Sequence, residues 1–97
     1  MYEVDGSEWF DRRCRKLLSA VQQKQLKSVF DSVAENPLRG DPLHSPWFRE
    51  VRMRDKRLYY VVGNTQVLFV DVSDKKDQQM VIDVYRVKFE SLRKSLN

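Results

Sequence analysis

Four arginines, a lysine and two tyrosines fall within one short stretch, Arg49 to Val62, with the sequence REVRMRDKRLYYVV. Arginine keeps its charge at any physiological pH and presents a planar fork of N–H donors. Arginines grouped in this way suit a ligand with several anionic oxygens, a phosphate above all. Elsewhere the residues able to move a proton or support a leaving oxygen are few: His44, the only histidine, and Lys75 and Lys76 in SDKKD. A histidine is the natural acid or base near neutral pH, although one alone in a polar loop is more often simply exposed.

Apolar residues alternate on either side of Asp55-Lys56, which predicts two strands joined by a two-residue turn. In that register Arg54 lies opposite Arg57, Arg52 opposite Tyr59 and Glu50 opposite Val61. Directly opposed residues share a sheet face, so three arginines and a tyrosine collect on one side, and alternation sends Arg49 to the other. Two arginines facing each other repel, and an anion between them relieves the repulsion. The plainer reading is a solvated edge hairpin, whose cations discourage pairing with other chains.

The surrounding elements follow from periodicity. Tyr2 to Val4 predicts a short strand, and Ser7 after Gly6 suits a helix N-cap. Trp9, Phe10, Cys14, Leu17, Leu18 and Val21 recur at helical spacing. After a break around Ser19 to Gln22, Leu26, Val29, Phe30, Val33 and Ala34 form a second stripe that Pro37 ends. Pro37 to Pro46 reads as a loop without regular structure. Val67 to Val72 (VLFVDV) reads as a strand covered on both faces, and a third helix begins near Gln78, with Val81, Tyr85, Phe89, Leu92 and Leu96 on one side. The expected fold is a single α+β domain over residues 1–97. An antiparallel sheet of about four strands carries the N-terminal helical hairpin on one face, followed by a C-terminal helix, with the remaining face left for function.

The chain has 97 residues, of which 41% are hydrophobic and 33% charged, which suits one folded core and no more. Eighteen Lys and Arg against 14 Asp and Glu give a net charge of +4, so polyanions are permitted partners. No apolar run is long enough to span a membrane and the N-terminus has no leader pattern, so a cytoplasmic location is the default. Cys14 is the only cysteine, which rules out an internal disulfide and metal clusters built on cysteine spacing, and its place in a helical stripe predicts a buried thiol. No Gly-rich phosphate loop, metal-ligand motif or repeat is present, and no cofactor is expected.

Taken together, the order of elements, Asn36-Pro37 closing the second helix, Phe48-Arg49-Glu50-Val51-Arg52 before the turn, and Arg57-Leu58-Tyr59-Tyr60 after it resemble the RelE/ParE toxin superfamily over nearly the whole chain. Phe48 to Arg52, with Lys75-Lys76 and a following helix, look most like the HigB branch. The resemblance implies the toxin of a type II toxin–antitoxin pair: a metal-independent endoribonuclease that cleaves mRNA at the ribosome and is silenced by a cognate antitoxin. It matches Arg57 to the family's strand arginine, suited to transition-state charge, with Arg52 and Arg54 positioning the RNA backbone. Lys76, and secondarily Lys75, match the basic residue that supports the leaving oxygen. Arg49, Lys56, Tyr59, His44 and Arg86 would complete the RNA-contacting set. A tyrosine common in RelE-like nucleases about six residues after the basic position is replaced here by Val81 or Ile82. The general base is therefore unassigned among Tyr59, Glu50 and His44. Two other functions stay open: a ParE-like inhibitor of DNA gyrase, and a non-catalytic nucleic-acid or protein binding module of the same fold.

Overall fold

Residues 1–96 are described by a computed structural model of the chain. In order they form β1 (Glu3–Gly6), α1 (Glu8–Leu17), α2 (Ala20–Glu35), β2 (Asp41–Ser45), β3 (Phe48–Met53), β4 (Lys56–Val62), β5 (Gln66–Asp74), a single 3₁₀ turn (Lys75–Asp77) and α3 (Gln78–Lys94). The sheet order is β1-β5-β4-β3-β2, with β1 parallel to β5 and every other neighbouring pair antiparallel. The expected β3-β4-β5 meander is present, but the sheet has five strands and is mixed. The strand missing from the sequence reading is β2, hidden inside the proline-rich loop. Pro42 pairs with Arg49 at the sheet's edge, where its missing N–H costs no ladder bond, and the register slips between Pro42 and Ser45.

The two helices are present, but the break between them is Leu18–Ser19 rather than Ser19 to Gln22, because each helix brings its own cap. Ser7 Oγ accepts from the Phe10 N–H at 3.1 Å, and Ser19 with Gln22 closes a reciprocal capping box. Val21 belongs to α2 instead of the first helix and is 57% exposed, and Trp9, 49% exposed, sits at the margin of the core. Ser19→Ala is expected to cost about 1 kcal/mol, read as a lower urea midpoint at unchanged slope. An unchanged midpoint would mean that packing alone sets the start of α2.

Helices α1 and α2 cross one sheet face, where Phe10, Phe30 and Phe69 pack around Cys14, Leu58, Tyr60 and Val72. The opposite face is not left free. Val81, Tyr85 and Phe89 of α3 cover Phe48, Tyr59, Val61 and Val70, and beyond them, toward the β3–β4 turn, Arg52 is exposed. A strand sandwiched in this way must be apolar on both sides, and β4 is buried at every residue from Arg57 to Val62.

Cys14 is buried as expected, and its burial, chiefly, with the charges of Asp11 and Asp71, pushes the thiol up to about 12. The thiolate is the reactive form. Iodoacetamide should therefore leave the folded protein unlabelled at neutral pH and modify it fully in urea, as mass spectrometry would show. Rapid labelling of the folded chain would mean that α1 opens readily.

The connection before β2 is tied down by backbone acceptors. Tyr60 donates to the Pro37 carbonyl at 2.7 Å and accepts from the Gly40 N–H at 3.0 Å. Arg49 gives three donors to the carbonyls of Gly40, Pro46 and Leu38 at 2.9–3.0 Å.

Candidate functional site

The β3–β4 turn is one residue earlier than the sequence suggested. Met53 pairs with Lys56, so Arg54 and Asp55 form the turn, and Arg54 takes a positive φ of 58°. A non-glycine residue there accepts some strain, and two side-chain contacts to α2 hold it: Arg54 Nε donates to Gln25 Oε1 at 3.1 Å and Gln22 Nε2 to Asp55 Oδ1 at 2.8 Å. Arg54 is therefore drawn toward the helical side and leaves the expected trio of arginines.

The corrected register places Arg52 directly opposite Arg57 and Glu50 opposite Tyr59. On the next strand Ser73 pairs with Arg57 and Asp71 with Tyr59, with an irregularity just beyond. Two rows thus cross the end of the α3-covered face nearest the β3–β4 turn: Arg52, Arg57, Ser73 and, one step farther from the turn, Glu50, Tyr59, Asp71. The like-charged pair is real, but its members are Arg52 and Arg57.

Arg57 is 6% exposed, and its Nε is buried without a hydrogen-bond partner. Among the described residues neither Arg57 nor Arg52 forms an ion pair. A buried guanidinium lacking a counter-charge costs several kcal/mol, and a second cation across the strand adds to that cost. An anion with several oxygens would offset both.

Glu50, 7% exposed, lies one row deeper, with both carboxylate oxygens accepting from Gln78 Nε2 at 2.8 Å. Gln78 is the first residue of α3. Tyr59 is fully buried. Because Ser73 Oγ donates onward to the Asp74 carbonyl, the 2.7 Å contact between Tyr59 and Ser73 has the phenol as donor. Burial, as the main cause, pushes that phenol up to about 12. A committed, high-pKa hydroxyl is a poor base. Lys75 and Lys76 are exposed on the 3₁₀ turn that links β5 to α3, at the same end of the sheet, and neither is in an ion pair among the described residues.

The other candidates lie elsewhere. Lys56 is held by Asp74 and by Asp55, and its charge is already matched. Arg49 spends its donors on the loop carbonyls, on the opposite face. His44 is on β2 rather than in a loop, packed between Phe48 and Phe89 with ring centroids 5.3 and 4.9 Å away. Burial, then the charge of Arg86, lowers its pKa. Phe48 pairs with Val61, about 13 Å along β4 from Arg57. The structure therefore separates His44, and Arg86 beside it, from the arginine pair. Tyr85, read as packing, is buried and donates to the Val70 carbonyl at 3.0 Å. Among the described residues no group of three or more His, Cys, Asp or Glu could hold a metal ion.

Sequence reasoning missed Ser73 and Gln78. Ser73 could have been found once the alternation of β4 was extended to the next strand. Gln78 carried no signal, since only the packing of α3 brings its amide to Glu50.

No family model matches the sequence, and no match is found among curated proteins. Solved structures do resemble it. A mutant of the E. coli toxin RelE in the free state superimposes with a TM-score of 0.72 at 24% identity, covering 89% of this chain and 97% of that one. The Mycobacterium tuberculosis toxin–antitoxin complex RelBE2 gives 0.64 at 24% identity over 76% of this chain and 98% of its own. YafQ from E. coli gives 0.58 at 17% identity over 80% and 98%. At such identities the likeness is one of fold, but it extends over nearly the full length of each neighbour. The fold of this chain is the fold of these toxin structures.

Proposed function

We propose that this protein is the toxin of a type II toxin–antitoxin pair and acts as an endoribonuclease on mRNA at the ribosome. The observation that carries this reading is Arg57, buried with an orphaned Nε and, among the described residues, in no ion pair, set directly opposite Arg52. Two guanidinium groups opposed across one strand pair suit the non-bridging oxygens of a phosphate.

In the reaction the Glu50 carboxylate takes the proton of a ribose 2′-hydroxyl as that oxygen bonds to the adjacent phosphorus. The bond from phosphorus to the 5′-oxygen breaks, leaving a 2′,3′-cyclic phosphate. The departing oxygen takes a proton from the ammonium of Lys76 or Lys75, and water restores both groups. Arg57 and Arg52 hold the non-bridging oxygens, whose charge grows in the transition state. Glu50 is preferred as base because Tyr59 keeps its proton and His44 is remote. Complexes of RelBE2 and of DinJ with YafQ support a cognate antitoxin as the partner, and a net charge of +4 favours an acidic one.

Primer extension on a translated mRNA after brief induction tests the reading, with Arg57→Ala alongside. Codon-phased ends in the wild type alone are expected. Growth arrest with intact mRNA would replace this reading with a gyrase-type target, and neither arrest nor cleavage would leave a binding module.

A further inference from the structure

We propose that Gln78 is a positioning residue for cleavage, aiming the Glu50 carboxylate at the 2′-hydroxyl from the first turn of α3; this rests on the ribonuclease reading above. Glu50 is 7% exposed and, among the described residues, in no ion pair, and Gln78 Nε2 bridges its two oxygens at 2.8 Å each. No other hydrogen bond to that carboxylate is present among the described residues. Its direction is thus set by one amide, and the amide is placed by the junction between the 3₁₀ turn and α3.

The choice of an amide over a cation matters chemically. A neutral donor orients a carboxylate while leaving it basic, whereas an arginine or lysine at hydrogen-bond distance would stabilise the anion strongly and weaken it as a base. The charged and titratable groups around Glu50 come from the neighbouring strands: Tyr59 opposite it and Arg57 on β4, Arg52 on β3 itself, Asp41 opposite it on β2, and Asp71 beyond Tyr59 on β5, while Lys75 and Lys76 lie on the 3₁₀ turn just before Gln78. Asp41 is exposed and screened by water, and Arg52 and Arg57 stand one row nearer the β3–β4 turn. Gln78 alone touches the oxygens.

The test compares wild type, Glu50→Gln, Gln78→Leu and Gln78→Lys in two measurements. One is the pH profile of single-turnover cleavage of ribosome-bound mRNA. The other is titration of the Glu50 carboxyl carbon by NMR, which does not depend on activity. Gln78→Leu removes a donor to the anion, so the Glu50 midpoint and the acidic limb of the rate profile should both move to higher pH. The maximal rate should fall about 10- to 100-fold as the carboxylate loses its aim. Gln78→Lys should move both midpoints to lower pH and also slow cleavage. A Gln78→Leu enzyme with wild-type rate and profile overturns the proposal even if the NMR midpoint moves. Rate loss without any movement of the acidic limb assigns Gln78 to folding and also overturns it. Full activity in Glu50→Gln removes the base, and with it the role of Gln78, while leaving the nuclease reading intact. A wild type that cleaves nothing overturns both.

Discussion

Arg57→Met is expected to abolish cleavage while making the folded protein more stable. The loss of rate should reach about 10²- to 10³-fold, the scale on which removal of one preorganised donor to a developing anion is felt. The gain in stability has a separate origin. In the free protein Arg57 is a buried cation with an orphaned Nε and a second arginine directly across the strand. Replacing it with an apolar side chain of similar length keeps the packing against β3 and β5 and removes the uncompensated charge. A gain of about 1–3 kcal/mol follows, seen as a higher urea midpoint. Arg57→Lys should recover little activity, because an ammonium cannot hold two oxygens in one plane. The pairing of lost activity with gained stability is what distinguishes a functional arginine from a structural one. If Arg57→Met unfolds more easily and still cleaves RNA, the arginine is part of the scaffold and the proposed chemistry lies elsewhere.

The same residue shows how much could be read before the structure. Alternation in β3 and β4 was enough to put Arg52 and Arg57 on one face, because parity survives an error of one residue in the turn. It was not enough to pair them, since a turn without glycine gives no fixed register, and Arg54 was wrongly kept with the group. Its positive φ is held by Gln25 and by the contact of Asp55 with Gln22, both from α2. No local rule could anticipate contacts made across the fold. The two helices, their break and the central strand were legible because periodicity and capping are local. Strand β2 was not, because Pro42 argues against a strand everywhere except at an edge, and edges are defined only once the sheet is assembled. His44 was misplaced with it: a polar-looking loop became an edge strand under α3, and its ring went to Phe48 and Phe89.

Gly40→Ala is the substitution expected to damage the fold most for the smallest change in mass. A methyl group at Gly40 would stand 2.3 Å from the Glu50 carbonyl oxygen, 2.9 Å from its carbon and 2.9 Å from the Tyr60 hydroxyl. The first two are backbone atoms in the middle of β3, so relief requires either strand β3 or the residues before β2 to move. Both are held, the strand by its pairing with β4 and the loop by Arg49 and Tyr60. A loss of about 3–5 kcal/mol is expected, as for a badly overpacked core site. In a chain of this length each kcal/mol corresponds to roughly 4–8 °C in melting temperature. Tyr60→Phe provides the scale for the loop's anchoring alone, since it deletes the hydroxyl shared by Pro37 and Gly40 without adding bulk, and should cost about 1–3 kcal/mol. The clash also bears on chemistry, because the displaced carbonyl belongs to Glu50 itself. At a temperature where Gly40→Ala remains folded, cleavage should fall further than in Tyr60→Phe. Equal activity in the two variants would show that the loop yields and the strand stays, and that the geometry of Glu50 does not depend on the close approach of Gly40.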